Sequence, residues 1–149
     1  MRIEPARTAD VPALCDLLHL LFTQEPDFSP DRAAQARGLH RILERPEAGC
    51  ILVARQGGAV VGMVNLLYTE STALGARVAM LEDVVVAQDR QGRGIGSRLL
   101  QGAIATARAE DCRRITLLTA SDNVAAHRFY RRHGFAGSAM LPMRLLLPG

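Results

Sequence analysis

No lysine occurs anywhere in the chain: its eighteen lysine-plus-arginine positions are all arginine, against fifteen acids, for a formal net charge of +3. Codon usage explains that bias more readily than chemistry, but it leaves no lysine side chain on which the protein could acylate itself. Tryptophan is absent too, and two Tyr and four Phe are the only large rings. No basic stripe interleaved with aromatics exists, so nucleic acid is not the expected partner. No run of eighteen apolar residues is present, and the opening MRIEPARTAD has no apolar signal region. A membrane partner is therefore not expected, and a cytoplasmic location is. Cys15, Cys50 and Cys112 are odd in number and lack C-x-x-C spacing, and the four histidines form no H-x-x-x-H pair. That argues for a reducing compartment and against a structural metal.

What is present is organised around residues 81–100, LEDVVVAQDRQGRGIGSRLL. Val84, Val85 and Val86 read as a strand covered on both faces. Gln91 to Ser97 forms a glycine-rich turn, and Leu99 and Leu100 open a helical pattern. Glycines let a ligand approach the main chain. The first N–H groups of a helix lack intrahelical acceptors and lie at the positive end of its dipole, so the turn suits a phosphate. Arg90, Arg93 and Arg98 add charge, with Asp89 as the nearby acid. Residues 84–149 hold ten Arg and four acids, whereas residues 1–83 hold eight Arg and eleven acids.

The P-loop pattern fails for want of a Lys. The dinucleotide fingerprint fails because Ser97 stands where its third glycine belongs, and Glu110 and Asp111 fall at a helix end rather than a strand end. An ordinary left-handed turn between strand and helix stays open. The motif Gln91-Gly92-Arg93-Gly94-Ile95-Gly96 resembles the pyrophosphate loop Q/R-x-x-G-x-G/A of the Gcn5-related N-acetyltransferases (GNAT). A second run, Asn123-x-x-Ala126-x-x-Phe129-Tyr130-x-x-x-Gly134-Phe135, is similar to the helix that follows that loop in the same family. The two lie 27 residues apart (Gly96 to Asn123) and in family order, and the resemblance spans about residues 50–136.

The order of elements along the chain fits a single domain, 1–149, of mixed α/β class. A strand is expected at Arg2–Ala6. Thr8 or Asp10 can cap a helix with Pro12 in its first turn, ended by Pro26. Ser29-Pro30-Asp31 starts a second helix reaching about Glu44. Strands follow at Cys50–Ala54 and Ala59–Tyr68 around a Gln56-Gly57-Gly58 turn, then a strand after Gly75, a helix from Ile95 to about Glu110, and a strand at Ile115–Leu118. Ser121 or Asp122 caps a helix from Asn123 to His133 with Gly134 at its C-terminal end. One or two last strands are expected from Phe135 through Leu147. The resemblance implies a mostly antiparallel sheet of six to seven strands with about four helices, splayed at the acyl-CoA site.

The family implies acetyl-CoA as co-substrate and a primary amine, small-molecule or protein, as acceptor, and homodimers are common in it. Its pyrophosphate would meet Gln91, Gly92, Arg93, Gly94, Ile95, Gly96 and Ser97. Pantetheine would pair with Val84–Val86 and meet Asn123 and Phe129, and Tyr130 would protonate the leaving thiolate. A base is also needed. Glu82 and Asp83 interrupt an apolar strand, which is costly unless they are paired or used. Adjacent strand residues face opposite sides, so one of them can look into the cleft. Glu82 is the choice, with an arginine-paired structural acid the competing reading, and Glu70 and His127 weaker candidates. Acids in the first half (Glu25, Asp27, Asp31, Glu44, Glu47) hint at a cationic acceptor or cover a solvated face. A non-catalytic acyl-CoA-binding module would need the glycines but neither Tyr130 nor Glu82.

Overall fold

The computed structural model describes residues 1–24 and 29–149, in two compact units, Met1–Leu118 and Thr119–Gly149. Pro26, expected to end the first helix, and the acids Glu25 and Asp27 lie outside the described residues.

The first unit holds one sheet of five strands in chain order: β1 (Arg2–Pro5), β2 (Gly49–Gln56), β3 (Ala59–Ser71), β4 (Ala76–Val86) and β5 (Ile115–Leu117). Neighbours are antiparallel except β4 and β5, which are parallel. The β2–β3 turn is two residues long. Gly57 and Gly58 both take positive φ, +58° and +83°, the conformation such a hairpin asks for.

Helix α1 (Val11–Thr23) buries Val11, Leu14, Leu17 and Leu18 at helical spacing against Ile51 and Val53 of β2, Met63 of β3 and Val85 of β4. Leu39 of α2 (Arg32–Leu43) joins that layer. Helix α3 (Ile95–Ala109) takes the opposite face. Gly62, the strand neighbour of Met63, lies under it, where a Cβ would stand 2.9 Å from Leu99. Only a glycine at residue 62 lets α3 approach the sheet this closely. The second unit contains α4 (Val124–Arg132).

One helix start holds and three expectations change. Asp31 caps α2, accepting the Ala34 N–H at 3.1 Å. Neither Thr8 nor Asp10 caps α1 through its side chain. Asp10 accepts the Arg7 N–H at 2.8 Å and both arms of Arg55 at 2.8 and 3.0 Å, and this buried pair claims its oxygens. In the second unit the cap is Asn123, not Ser121 or Asp122, with Oδ1 accepting the Ala126 N–H at 3.1 Å. The strands expected beyond Phe135 are not formed, so five strands stand where six to seven were expected. Residues 135–149 carry neither helix nor strand, and Met140, Met143 and Leu145 are more than 80% exposed. An apolar run becomes a strand only when a neighbour takes up its N–H and C=O groups. Pro142 and Pro148 remove two of those donors.

Candidate active site

The open edge of β4 comes first. Its pairing with β5 runs Ala79↔Ile115, Met80↔Thr116 and Leu81↔Leu117 and then stops. Among the described residues no strand covers β4 on that side from Glu82 to Val86. Val85 turns its carbonyl toward β3, within 3.2 Å of where a Gly62 Cβ would sit. By alternation, Val84 and Val86 turn their N–H and C=O groups to the open edge. Val85 is buried, whereas Val84 and Val86 are half-buried, so the strand is not covered on both faces as its composition suggested. The Gln91 side chain donates to the Val86 carbonyl at 3.1 Å and ties the glycine loop to the strand end.

That loop leads into α3. Gly92 and Gly94 both have φ +78°, and a Cβ on either would meet nothing within 4 Å. Glycine is therefore needed for backbone conformation rather than for room, and the concave side stays open to a ligand. Gly94 is the N-cap of α3, and no side chain caps that helix. The first intrahelical bond runs from the Arg98 N–H to the Gly94 carbonyl at 3.2 Å, so the N–H groups of Ile95 and Gly96 have no acceptor within the helix. Ile95 is 3% exposed, and only its main chain can meet a ligand.

The three arginines divide. Arg90 donates to Gln56 and lies 3.6 Å from Asp89, and Arg98 reaches the Met1 carbonyl at 3.4 Å. Arg93 is exposed at the loop itself.

Glu82 and Asp83 do not alternate simply. Met63 opposes Val85 while Asn65 opposes Glu82, so β4 carries one residue more than β3 across this step. The extra residue is accommodated at Asp83, whose φ is +57°. Such a bulge re-aims side chains and replaces the expected rule that one acid of the two faces the cleft. Glu82 is exposed, and Asp83 is half-buried, accepting from Asn65 Nδ2 at 3.4 Å. Asn65 was missed by sequence reasoning; it is 3% exposed, and its Oδ1 has no partner. Glu70 opposes Arg77, five residues further along β3 than Asn65, and lines a cleft of about 360 Å³ with Arg77, Glu110 and Asp111. At roughly 3.4 Å per residue it lies too far from the bulge to serve there.

In the second unit, α4 carries the other motif. Oδ1 of Asn123 is used by the cap, while its amide N–H groups are not engaged by it. His127 contacts the Ala120 carbonyl at 2.9 Å, a structural contact that ties the preceding turn to the helix. Tyr130 packs edge-on against Phe129 and Phe135, with ring centroids 5.2 and 5.8 Å away. Gly134, at φ +96°, closes the helix: its N–H bonds Arg131 and that of Phe135 bonds Tyr130, the paired arrangement of a Schellman end. Burial pushes the Tyr130 phenol above its ordinary value near 10, so it is protonated at neutral pH. Burial likewise raises the thiols of Cys15, Cys50 and Cys112, which are not thiolates at pH 7.

An open strand edge thus lies beside a glycine-turned helix N-terminus, on a mixed sheet with helices on both faces. The acetyltransferase (GNAT) family model matches residues 12–135. The chain belongs to that family. It is 30% identical over 138 residues to an uncharacterized N-acetyltransferase, YhfO, of Bacillus subtilis (strain 168), covering 91% of this chain and 89% of that one. It is 31% identical over 113 residues to N-alpha-acetyltransferase 40 of Saccharomyces cerevisiae, covering 64% of this chain and 40% of that protein. Among solved structures, a Trypanosoma brucei acetyltransferase superimposes with a TM-score of 0.77 at 25% identity, over 98% of this chain and 99% of that one. Among the described residues no group of three or more His, Cys, Asp or Glu is placed to hold a metal, and no helix is long and apolar enough to cross a membrane.

Proposed function

We propose that the protein transfers an acetyl group from acetyl-CoA to a primary amine by direct attack. The observation that carries this reading is the loop-and-edge pair: the Gln91–Gly96 turn at the N-terminus of α3, joined by Gln91 to the uncovered Val84–Val86 edge of β4. The residues fit the donor, because the open concave side of Gly92 and Gly94 has room for phosphate oxygens. When bound, acetyl-CoA supplies an activated thioester carbonyl. The Ile95 and Gly96 N–H groups and Arg93 hold the negative charge of the pyrophosphate. Asn123 and Phe129 are assigned to the pantetheine arm. Val84 and Val86 offer main-chain groups to pair with its amides, and an N–H on this edge stabilises charge developing on the carbonyl oxygen.

Glu82 takes a proton from the acceptor ammonium, directly or through water, and frees the nitrogen lone pair. The new C–N bond forms as the C–S bond breaks, and Tyr130 gives its proton to the departing thiolate. Direct transfer is favoured over a covalent acyl-enzyme because the three thiols are held neutral and no lysine exists.

Isothermal titration of acetyl-CoA into the wild type and into Gly94→Glu tests the reading. A glutamate at residue 94 adds an anion and a strained φ. Micromolar binding by the wild type, weakened at least tenfold in the folded variant, is expected. A wild type that does not bind acetyl-CoA overturns the proposal.

A further inference from the structure

Asn65 is the one uncharged polar residue in the buried set of the described chain. It opposes Ile51 on β2, and directly opposed residues share a face, so it belongs to the layer of Ile51, Met63 and Val85 beneath α1. A buried amide oxygen without a partner in such a layer is costly. Its Nδ2 is turned to Asp83 at 3.4 Å, and Asp83 is held at positive φ by the bulge. Across the same step, Glu82 opposes Asn65. Asn65 and Asp83 thus meet where β4 leaves β5, next to the Val84–Val86 edge, with Glu82 across the register from Asn65. An alkylammonium has three N–H donors and no acceptor.

We infer that Asn65 and Asp83 form the acceptor's ammonium site: the Asp83 carboxylate supplies the counter-charge, and Asn65 Oδ1 takes a second N–H. Asn65 is thereby the residue that selects a primary ammonium over a fully alkylated one. Glu82, across the register from Asn65, is placed to take the proton. This rests on the amine-acetylation reading above for its biological meaning, but the site itself exists without acetyl-CoA.

The test is therefore run without the donor. Methylammonium chloride is titrated into ¹⁵N-labelled protein while the Asn65 side-chain amide and the Asp83 backbone N–H are followed by NMR, with tetramethylammonium as the cation that has no N–H. A saturable methylammonium shift at both residues, absent with tetramethylammonium, is expected. Asn65→Leu, which fills the same space, should weaken methylammonium about tenfold or more as read at Asp83, and Asn65→Gln should recover part of it. Acetyl-CoA titrated into Asn65→Leu should bind as it does to the wild type. No saturable shift at Asn65, or an equal one with tetramethylammonium, overturns the site and leaves Asn65 a buried amide that serves only to hold Asp83. Neither result bears on the donor loop, and loss of acetyl-CoA binding by the wild type would leave the ammonium result standing.

Discussion

At Arg55 a guanidinium that is 7% exposed donates to Asp10 through two arms and to Glu4 at 2.6 Å. The Arg55 hydrogen bond holds the Asp10 carboxyl below its ordinary range against the opposing cost of burial, and does the same for Glu4. A lowered carboxylate contributes stability above the unfolded-state value, near 4, and loses it as pH falls through the folded one. Asp10→Asn leaves Arg55 buried without its bidentate partner and should lower the Tm at pH 7 by roughly 10 °C. Below about pH 4 the gap to wild type should narrow, because there the unfolded wild-type chain takes up a proton that the folded Asp10 carboxylate still resists. Thermal denaturation followed by circular dichroism checks both statements. A gap that widens on acidification would show that the carboxylate is not the stabilising group. This pair was not legible beforehand. Asp10 looks like any helix cap, and nothing in a sequence says that residue 55 will meet residue 10 across the sheet. The loop glycines were legible, because positive φ at residues 92 and 94 strongly favours glycine. Asn65 was not, since a lone amide in an apolar strand reads as a solvent-facing position until its burial is known.

Among the elements, β4 and α4 each hold candidate residues of the proposed reaction, and each was legible in part. The alternation of β4 was readable, but its bulge was not: an inserted residue shows itself only through a partner strand, so the opposite-facing rule applied to Glu82 and Asp83 failed there. The helix α4 was readable to within a residue at each end: Gly134 marks its left-handed close, whereas its cap falls on Asn123 rather than on Ser121 or Asp122. Length and apolarity misled for residues 135–149, where a strand needs a partner as well as a composition. The assignment of Tyr130 as acid has a kinetic consequence. Tyr130→Phe removes one hydroxyl and keeps the ring contacts with Phe129 and Phe135, so acetyl-CoA affinity should hold while kcat falls roughly 100-fold. Because burial lifts the phenol above its ordinary value, the alkaline limb of the wild-type kcat profile should lie above pH 10. A limb well below pH 10 would assign the proton to another group.

Across the whole molecule, the titrating groups that folding pushes upward outnumber those it pushes downward on the alkaline side. Burial raises the thiols of Cys15, Cys50 and Cys112. It also drives Tyr68 to about 12, with the nearby Cys50 and Glu110 adding to the shift and Arg77, stacked over the ring at 5.2 Å, opposing it. Tyr130 moves in the same direction. In each case the folded chain keeps a proton that the unfolded chain releases, so the unfolded state binds fewer protons and stability falls as pH rises. The contribution is complete below the unfolded thiol value, near 8.5, and is lost in two stages: the thiols first, then the phenols between about 10 and 12. Urea midpoints measured from pH 7 to 11.5 should therefore decline from about pH 8.5 and steepen above 10. Replacing all three cysteines with serine should flatten the first stage, and Tyr68→Phe should reduce the second. A midpoint that is flat or rising across this range would mean that these groups reach solvent in the folded protein. Working assays would then belong nearer neutrality for reasons of the reaction alone, not of the fold.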